Sequence, residues 1–473
     1  MKAEVATVTT ISSHIAGWVN RTSLSALPPE VVQGTKLRIL DLTGVMLASS
    51  RLGIVQAARR AWAEIESGAG ATQLGTTAAT SPATAAFLNG IAASALEFDD
   101  TYLPTTIHAT GLALSVCYPE AQRRPVSGAK LIESVLLASE SMIRLSVVST
   151  QDWFRFGIHP TGAFGVFGGV CALAKLRGLD DAAIIRGLGH AGSMSAALTA
   201  AFEDGTSTKN LHVGLAAANA FRAVALAQQD ISGPTLVYEG KFGWYRAHVQ
   251  SDGKRHYEAV TTDLTKGGLE QDWLSLEIAT KLYPVAYPLM PHIEAAIELR
   301  NQYGIEPEEV DEIDAYLAER TFPMLCEPPE LKMKPLTTWH GRISVQHTIA
   351  EALVRGEMTK NAYSEEAIRD PRINLLATKV RHLPDLEAPK NPLRSRAKIV
   401  VRMKDGRELS HEILDFRGTR RNPMTTDDYI AKFRANTGDL LPAGLIDETI
   451  DSFLKIEGID DIVPLLQRLT IAA

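Results

Sequence analysis

Two short stretches set a histidine among residues that build cores poorly and handle protons well. The first is Glu97-Phe98-Asp99-Asp100-Thr101-Tyr102, continued by Ile107-His108-Ala109-Thr110-Gly111. The second is Gly157-Ile158-His159-Pro160-Thr161-Gly162. An imidazole titrates near neutrality, so it can take a proton from carbon and hand one back to a leaving group. Neighbouring carboxylates repel each other, so Asp99 and Asp100 are expected to divide their work. One would orient a histidine or hydroxyl while the other caps a helix. Pro160 and Gly162 impose a special backbone beside His159, which suits a site turn better than a core element.

The bulk numbers limit what such groups could serve. With 473 residues, two domains are expected. Hydrophobic residues make up 45% and charged residues 22%, the balance of a soluble globular chain. A net charge of -7 argues against a nucleic-acid binder, which needs a basic face. Cys117, Cys171 and Cys326 lie far apart with no CxxC pair. That spacing predicts neither a disulfide framework nor a zinc site, and it suits a reducing cytoplasm. Residues 1–13 hold Lys2 and Glu4 and no long apolar run, so no signal peptide is expected. Charge interrupts every apolar stretch before it could span a bilayer.

Helical periodicity runs through the first half, over residues 31–48, 53–67, 81–96, 128–146, 163–177, 180–199 and 214–229. Ser81-Pro82 reads as an N-cap with proline in the first turn, and Gly178 as a stop. The pattern then changes. Residues 309–320 alternate as a strand, and Asp405-Gly406 between 397–403 and 408–416 signals a hairpin. Helices are expected at 343–354 and 365–377 between them, and again from Thr425 to the end. The fold class is therefore mostly α: a large all-α helical domain over 1–274, a smaller α+β domain over 275–420, and C-terminal helices over 421–473 returning to the first.

Several further runs occur in a set order: Asn89-Gly90, Thr208-Lys209-Asn210-Leu211-His212-Val213-Gly214, Lys281-Leu282-Tyr283-Pro284, Cys326-Glu327-Pro328, Ser344 to Gly356, and Asn422-Pro423 with Lys432-Phe433. Together with the two histidine runs, they make nearly the whole chain resemble the MmgE/PrpD family. That family includes 2-methylcitrate dehydratase, cis-aconitate decarboxylase and iminodisuccinate epimerase. The resemblance implies an active site in a cleft between the two domains, a homodimer, no metal or organic cofactor, and a small di- or tricarboxylate substrate.

On this resemblance His159, His108, Asp99 and Lys209 are the expected catalytic residues. Asp100, Thr101, Tyr102, Thr161, His212, Lys281 and Tyr283 would line the substrate site. So would His292, Arg342 and His347. Lys209 would bind a substrate carboxylate and compensate the charge that builds as the α-proton leaves. The sequence departs from the family pattern at Tyr102 and Ala109, where His and Pro are usual. Leu282 stands where cis-aconitate decarboxylases carry arginine, and losing that guanidinium removes a grip on a planar carboxylate. Met290 takes the place of a family histidine, with His292 two residues on, and His347 stands where some members have a tyrosine. Arg155, in Trp153-Phe154-Arg155-Phe156, is a candidate to reach an anion, while Cys326 has no base beside it and reads as packing. The expected activity is a cofactor-independent lyase of dehydratase type, acting by proton abstraction next to a carboxylate. An epimerase using the same abstraction and a non-catalytic binding protein are the alternatives.

Overall fold

The computed structural model describes residues 10–147, 153, 154, 156–248 and 272–471. Arg155 and the first nine residues lie outside them. Among the described residues the chain is mostly helical, with a four-stranded sheet and two two-stranded pairings.

Local chemistry sets the helix that leads into the first histidine run. Ser81 caps Pro82–Ser94 by accepting the Thr84 N–H, and Pro82 occupies the first turn. This helix crosses Thr208–Gln228 at a pair of glycines. A Cβ on Gly90 would stand 2.4 Å from the Gly214 nitrogen, so only glycine admits the contact. The crossing is pinned by Ser94 Oγ, 3.0 Å from the Asn210 carbonyl oxygen. It therefore fixes Lys209 beside the end of the first helix.

The residues 180–199 and 214–229 fold differently from their periodicity. The first helix stops at Met194, and Ser195 turns to extended backbone. The second starts earlier, at Thr208, so Lys209 and His212 stand on the helix and not before it. The stretch 365–377 also divides. Ala367–Arg369 forms one 3₁₀ turn and Asp370 then caps Pro371–Ala377, because the residue before a proline avoids helical backbone.

Two large buried clusters organise the chain. The first gathers the helices of residues 11–245 with Phe433 and the last helices. The second packs Met290–Tyr303 and Val345–Arg355 on the sheet. Its strand order is Val380–Pro384, Val310–Leu317, Arg396–Met403, Glu408–Leu414. The first pair is parallel and the others antiparallel. Strand Val310–Leu317 buries Ile313, Ala315 and Leu317 as its alternation predicts, and also Asp314, which Arg381 and Arg402 neutralise.

Two contacts join the clusters around one loop. Thr101–Tyr102 pairs antiparallel with Ile278–Ala279, which brings Lys281 next to the Glu97–Asp99 turn. Helix Thr426–Thr437 packs on Pro29–Ser49 and carries Lys432 between them. The Lys432 ammonium donates to the Lys281 carbonyl at 2.7 Å and pairs with buried Asp41 at 2.7 Å. No single described helix is long and apolar enough to cross a membrane.

Candidate active site

Glu97 leaves its helix in the left-handed region, at φ 52°. That turn throws its carboxylate inward between two lysines. Lys209 donates to one Glu97 oxygen. Lys281 Nζ lies 3.0 Å from the Glu97 carbonyl, 3.3 Å from Asp99 Oδ1 and 3.5 Å from Glu97 Oε2. All four side chains are buried. Burial opposes ionisation of Glu97, but the two ammoniums outweigh it and hold the carboxyl well below its ordinary range. Glu97 belongs to the first motif, yet it was not among the expected site residues. Its signal was the pair of lysines later in the chain, which need a counter-charge once buried.

His108 stands next to this cluster. Its Nδ1 lies 2.8 Å from the Asp100 carbonyl oxygen, 3.1 Å from Thr101 Oγ1 and 3.5 Å from Asp99 Oδ2. A carbonyl can only accept, so the proton sits on Nδ1 and the lone pair on Nε2. Burial, partly opposed by Asp99, lowers the imidazole to about 4 and keeps it neutral at physiological pH. Asp99 remains close enough to stabilise the cation that would form on protonation.

Glu97, His108, Lys209 and Lys281 share the wall of one cavity of about 670 Å³. The same cavity is lined by half-buried apolar residues: Phe154 and Phe202 from the helical body, and Tyr287, Pro288 and Met324 from the other. Arg320 and Thr321 add polar groups to the lining. Glu97, Asp99 and His108 also offer ligand atoms within 4.8 Å of one another. Both carboxylates are already held by ammoniums, so a metal ion there would have to displace lysines.

A second histidine pair stands behind the first. His159 Nδ1 lies 3.0 Å from His212 Nδ1, and the His159 ring centroid is 6.0 Å from that of His108. Gly162 makes this possible, since a Cβ there would meet Ala197 Cβ at 2.5 Å and His212 Cβ at 3.1 Å. His159 is fully buried and its Nε2 lacks a partner. It does not line the cavity; Phe154, with ring centroids 5.7 Å apart, packs against it. Burial followed by Lys209 pushes both imidazoles down, His212 to about 4. Thr161 Oγ1 accepts the His108 N–H at 3.0 Å and so positions that histidine.

The other expected site residues do not line the cavity. Asp100 accepts the Thr110 N–H at 3.2 Å at the start of helix Ala109–Ala121, and burial raises its carboxyl to about 6. It is the capping member of the acidic pair, while Asp99 faces His108 and Lys281. Thr101 meets His108 through its hydroxyl, and Tyr102 closes the turn by donating to the Ile107 carbonyl at 2.8 Å. Tyr283 packs against the second cluster, near Glu294.

His292 lies 3.0 Å from the Tyr316 carbonyl oxygen and 3.2 Å from that of Pro288, so it does not replace a histidine at Met290. Arg342 spends its guanidinium on the carbonyls of Leu96, Thr338 and Ala362. His347 Nε2 lies 3.3 Å from Glu351 Oε2, and both are fully buried. Arg342 and His292 thus found hydrogen-bond partners within the core, whereas neither ring nitrogen of His347 makes a hydrogen bond. Cys326 is buried and its thiol is pushed up to about 12, which leaves it unreactive.

These motifs and this architecture define a class of protein. Residues 13–256 match the MmgE/PrpD N-terminal domain and residues 283–455 the MmgE/PrpD C-terminal domain. The chain belongs to the MmgE/PrpD family. Among its relatives, cis-aconitate decarboxylase of Mus musculus is 25% identical over 95% of this chain and 91% of its own length. The cis-aconitate decarboxylase-like protein oryM of Aspergillus oryzae is 24% identical over 96% of each chain. Cis-aconitate decarboxylase of Aspergillus terreus is 22% identical over 97% of this chain and 96% of its own.

Proposed function

We propose that this protein is a lyase that removes water from a small hydroxy di- or tricarboxylate, by taking a proton from the carbon next to a carboxylate. The observation that carries the reading is the convergence of Lys209 and Lys281 beside the free Nε2 of a neutral histidine, His108, on one cavity wall. The lysines would draw a substrate carboxylate in and stabilise charge as the carbanion develops. Nε2 of His108 would take the proton while Asp99 supports the imidazolium. The C–H bond breaks, the C=C bond forms and the C–O bond breaks. The imidazolium then returns its proton to the departing hydroxide, giving water and the alkene. In this reading residues 1–274 supply Glu97, His108, Lys209 and the apolar Phe154 and Phe202, residues 275–420 supply Lys281, Arg320 and the rest of the apolar lining, and residues 421–473 supply Lys432, which holds the Lys281 carbonyl.

A second reading, decarboxylation of an unsaturated tricarboxylate, is favoured by the names of the relatives. The same lysines and histidine serve it, with C–C cleavage and protonation of carbon in place of water loss. Incubation with citrate, 2-methylcitrate and cis-aconitate, followed by proton NMR and carbon dioxide trapping, separates the two. The dehydration reading expects alkene without carbon dioxide. Carbon dioxide from cis-aconitate selects the second, and solvent deuterium exchange without net loss would select an epimerase.

A further inference from the structure

We infer that the substrate carries a sizeable neutral apolar substituent on its carboxylate-bearing carbon frame, which this cavity takes against its apolar lining. The inference rests on the anion site proposed above and adds the identity of the group that enters with the anion.

Three features support it. The first is size and lining. A cavity of about 670 Å³ exceeds the needs of a short-chain tricarboxylic acid and falls in the range of pockets for larger organic ligands. Glu97, His108, Lys209 and Lys281 cluster together, and apart from Arg320 and a few polar groups the rest of the lining is mainly apolar: Phe154, Phe202, Tyr287, Pro288, Pro323 and Met324. A small polyanion would leave most of that apolar surface wet, a cost that an alkyl or aryl group relieves. The second is rigidity. Phe202 stacks edge-on to Phe154 at 5.4 Å and to buried Trp339 at 5.1 Å, so the wall is braced from both bodies. The third is continuity. Phe202 and Pro323 also line an adjoining groove of about 630 Å³, which continues past Pro328 and Pro329. That groove carries Glu203 and Glu327, which would repel a further carboxylate at the far end. The carboxylates exclude an acidic extension, and the mainly apolar lining that leads to them favours a neutral group over any charged one.

Titration calorimetry of the full chain with succinate, 2-butylsuccinate and 2-hexylsuccinate tests this. These acids have no leaving hydroxyl, so binding is read without turnover. The dissociation constant is expected to fall about fourfold for each buried methylene, with an increasingly negative heat-capacity change. Phe202→Ala and, independently, Met324→Ala should each shrink the hexyl-to-parent ratio. Succinate binding that Lys209→Met abolishes, with no gain along the series, overturns the inference and leaves the anion site standing: the apolar walls then close on each other. If none of the three acids binds, the anion-site reading fails and this inference falls with it.

Discussion

In the helical body, Glu97, His108 and Lys209 keep reactive atoms on the cavity wall. In the sheet-bearing body, Arg342 and His292 turn theirs onto backbone carbonyls, and His347 is buried beside Glu351, away from the cavity. The second body contributes one ammonium, Lys281, one guanidinium, Arg320, and otherwise mainly apolar surface. The difference teaches that a titratable residue near a family motif is no guide to its task. What decides is whether the surrounding core already offers a partner. A carbonyl left by a helix end or a loop will take a buried donor, because leaving either unpaired costs about 1–3 kcal/mol.

The strongest test of that contrast sets His108 against His159. His108→Ala should lower kcat by about 10²–10⁴-fold, the usual share of a general base. His159→Ala should cost less, because the ring does not reach the cavity. Equal losses would mean that the two histidines act as one unit. The same assay read against pH sharpens the point. With His108 lowered from 6.5 to about 4, kcat/KM should stay level through pH 6.5 and drop only on approach to 4. A half-loss at 6.5 would show the base to be solvated. Stability moves in the same direction. His108, His212, His292 and His340 each fall to about 4 in the folded state. At these four groups the folded chain binds fewer protons than the unfolded one, so the stability they contribute is complete above pH 6.5 and lost as the pH falls toward 4, while Asp100 and Glu294, raised to about 6 and about 7, offset part of that loss.

Next in size is Lys209→Met, expected to reduce kcat/KM by about 10²–10³-fold through lost charge stabilisation. Steady-state kinetics would show it, and a mild effect would shift the anion-binding role to Lys281. On the other side of the comparison, Arg342→Met should leave three carbonyls unpaired and lower folding stability by about 3 kcal/mol in urea titration. The smallest effect is His292→Asn, about 1 kcal/mol of stability, with kcat of the folded enzyme unchanged. A collapse of kcat there would return His292 to the site.

Much of the architecture was legible. Ser81-Pro82 announced a helix start, Gly178 a stop, and Asp405-Gly406 a hairpin, each through backbone rules that act over a few residues. The boundary at Thr208 was not, since no side-chain cap marks it and the helix is held by its crossing at Gly90 and Gly214. The site was half legible. His108, Lys209 and Lys281 were named from motifs, and they do meet. Glu97 was passed over although it sits among them, and His159 stands one layer back.

What the sequence alone determined is the local grammar and the supply of chemistry: which segments could be helical, which turns were forced, and which side chains could carry charge or a proton. The tertiary structure decided the assignment. Asp99 and Asp100 are neighbours of identical type, yet one meets His108 and Lys281 and the other holds a helix N-terminus. No rule of spacing separates them, because a buried polar atom takes its role from whichever partner long-range packing brings within about 3 Å.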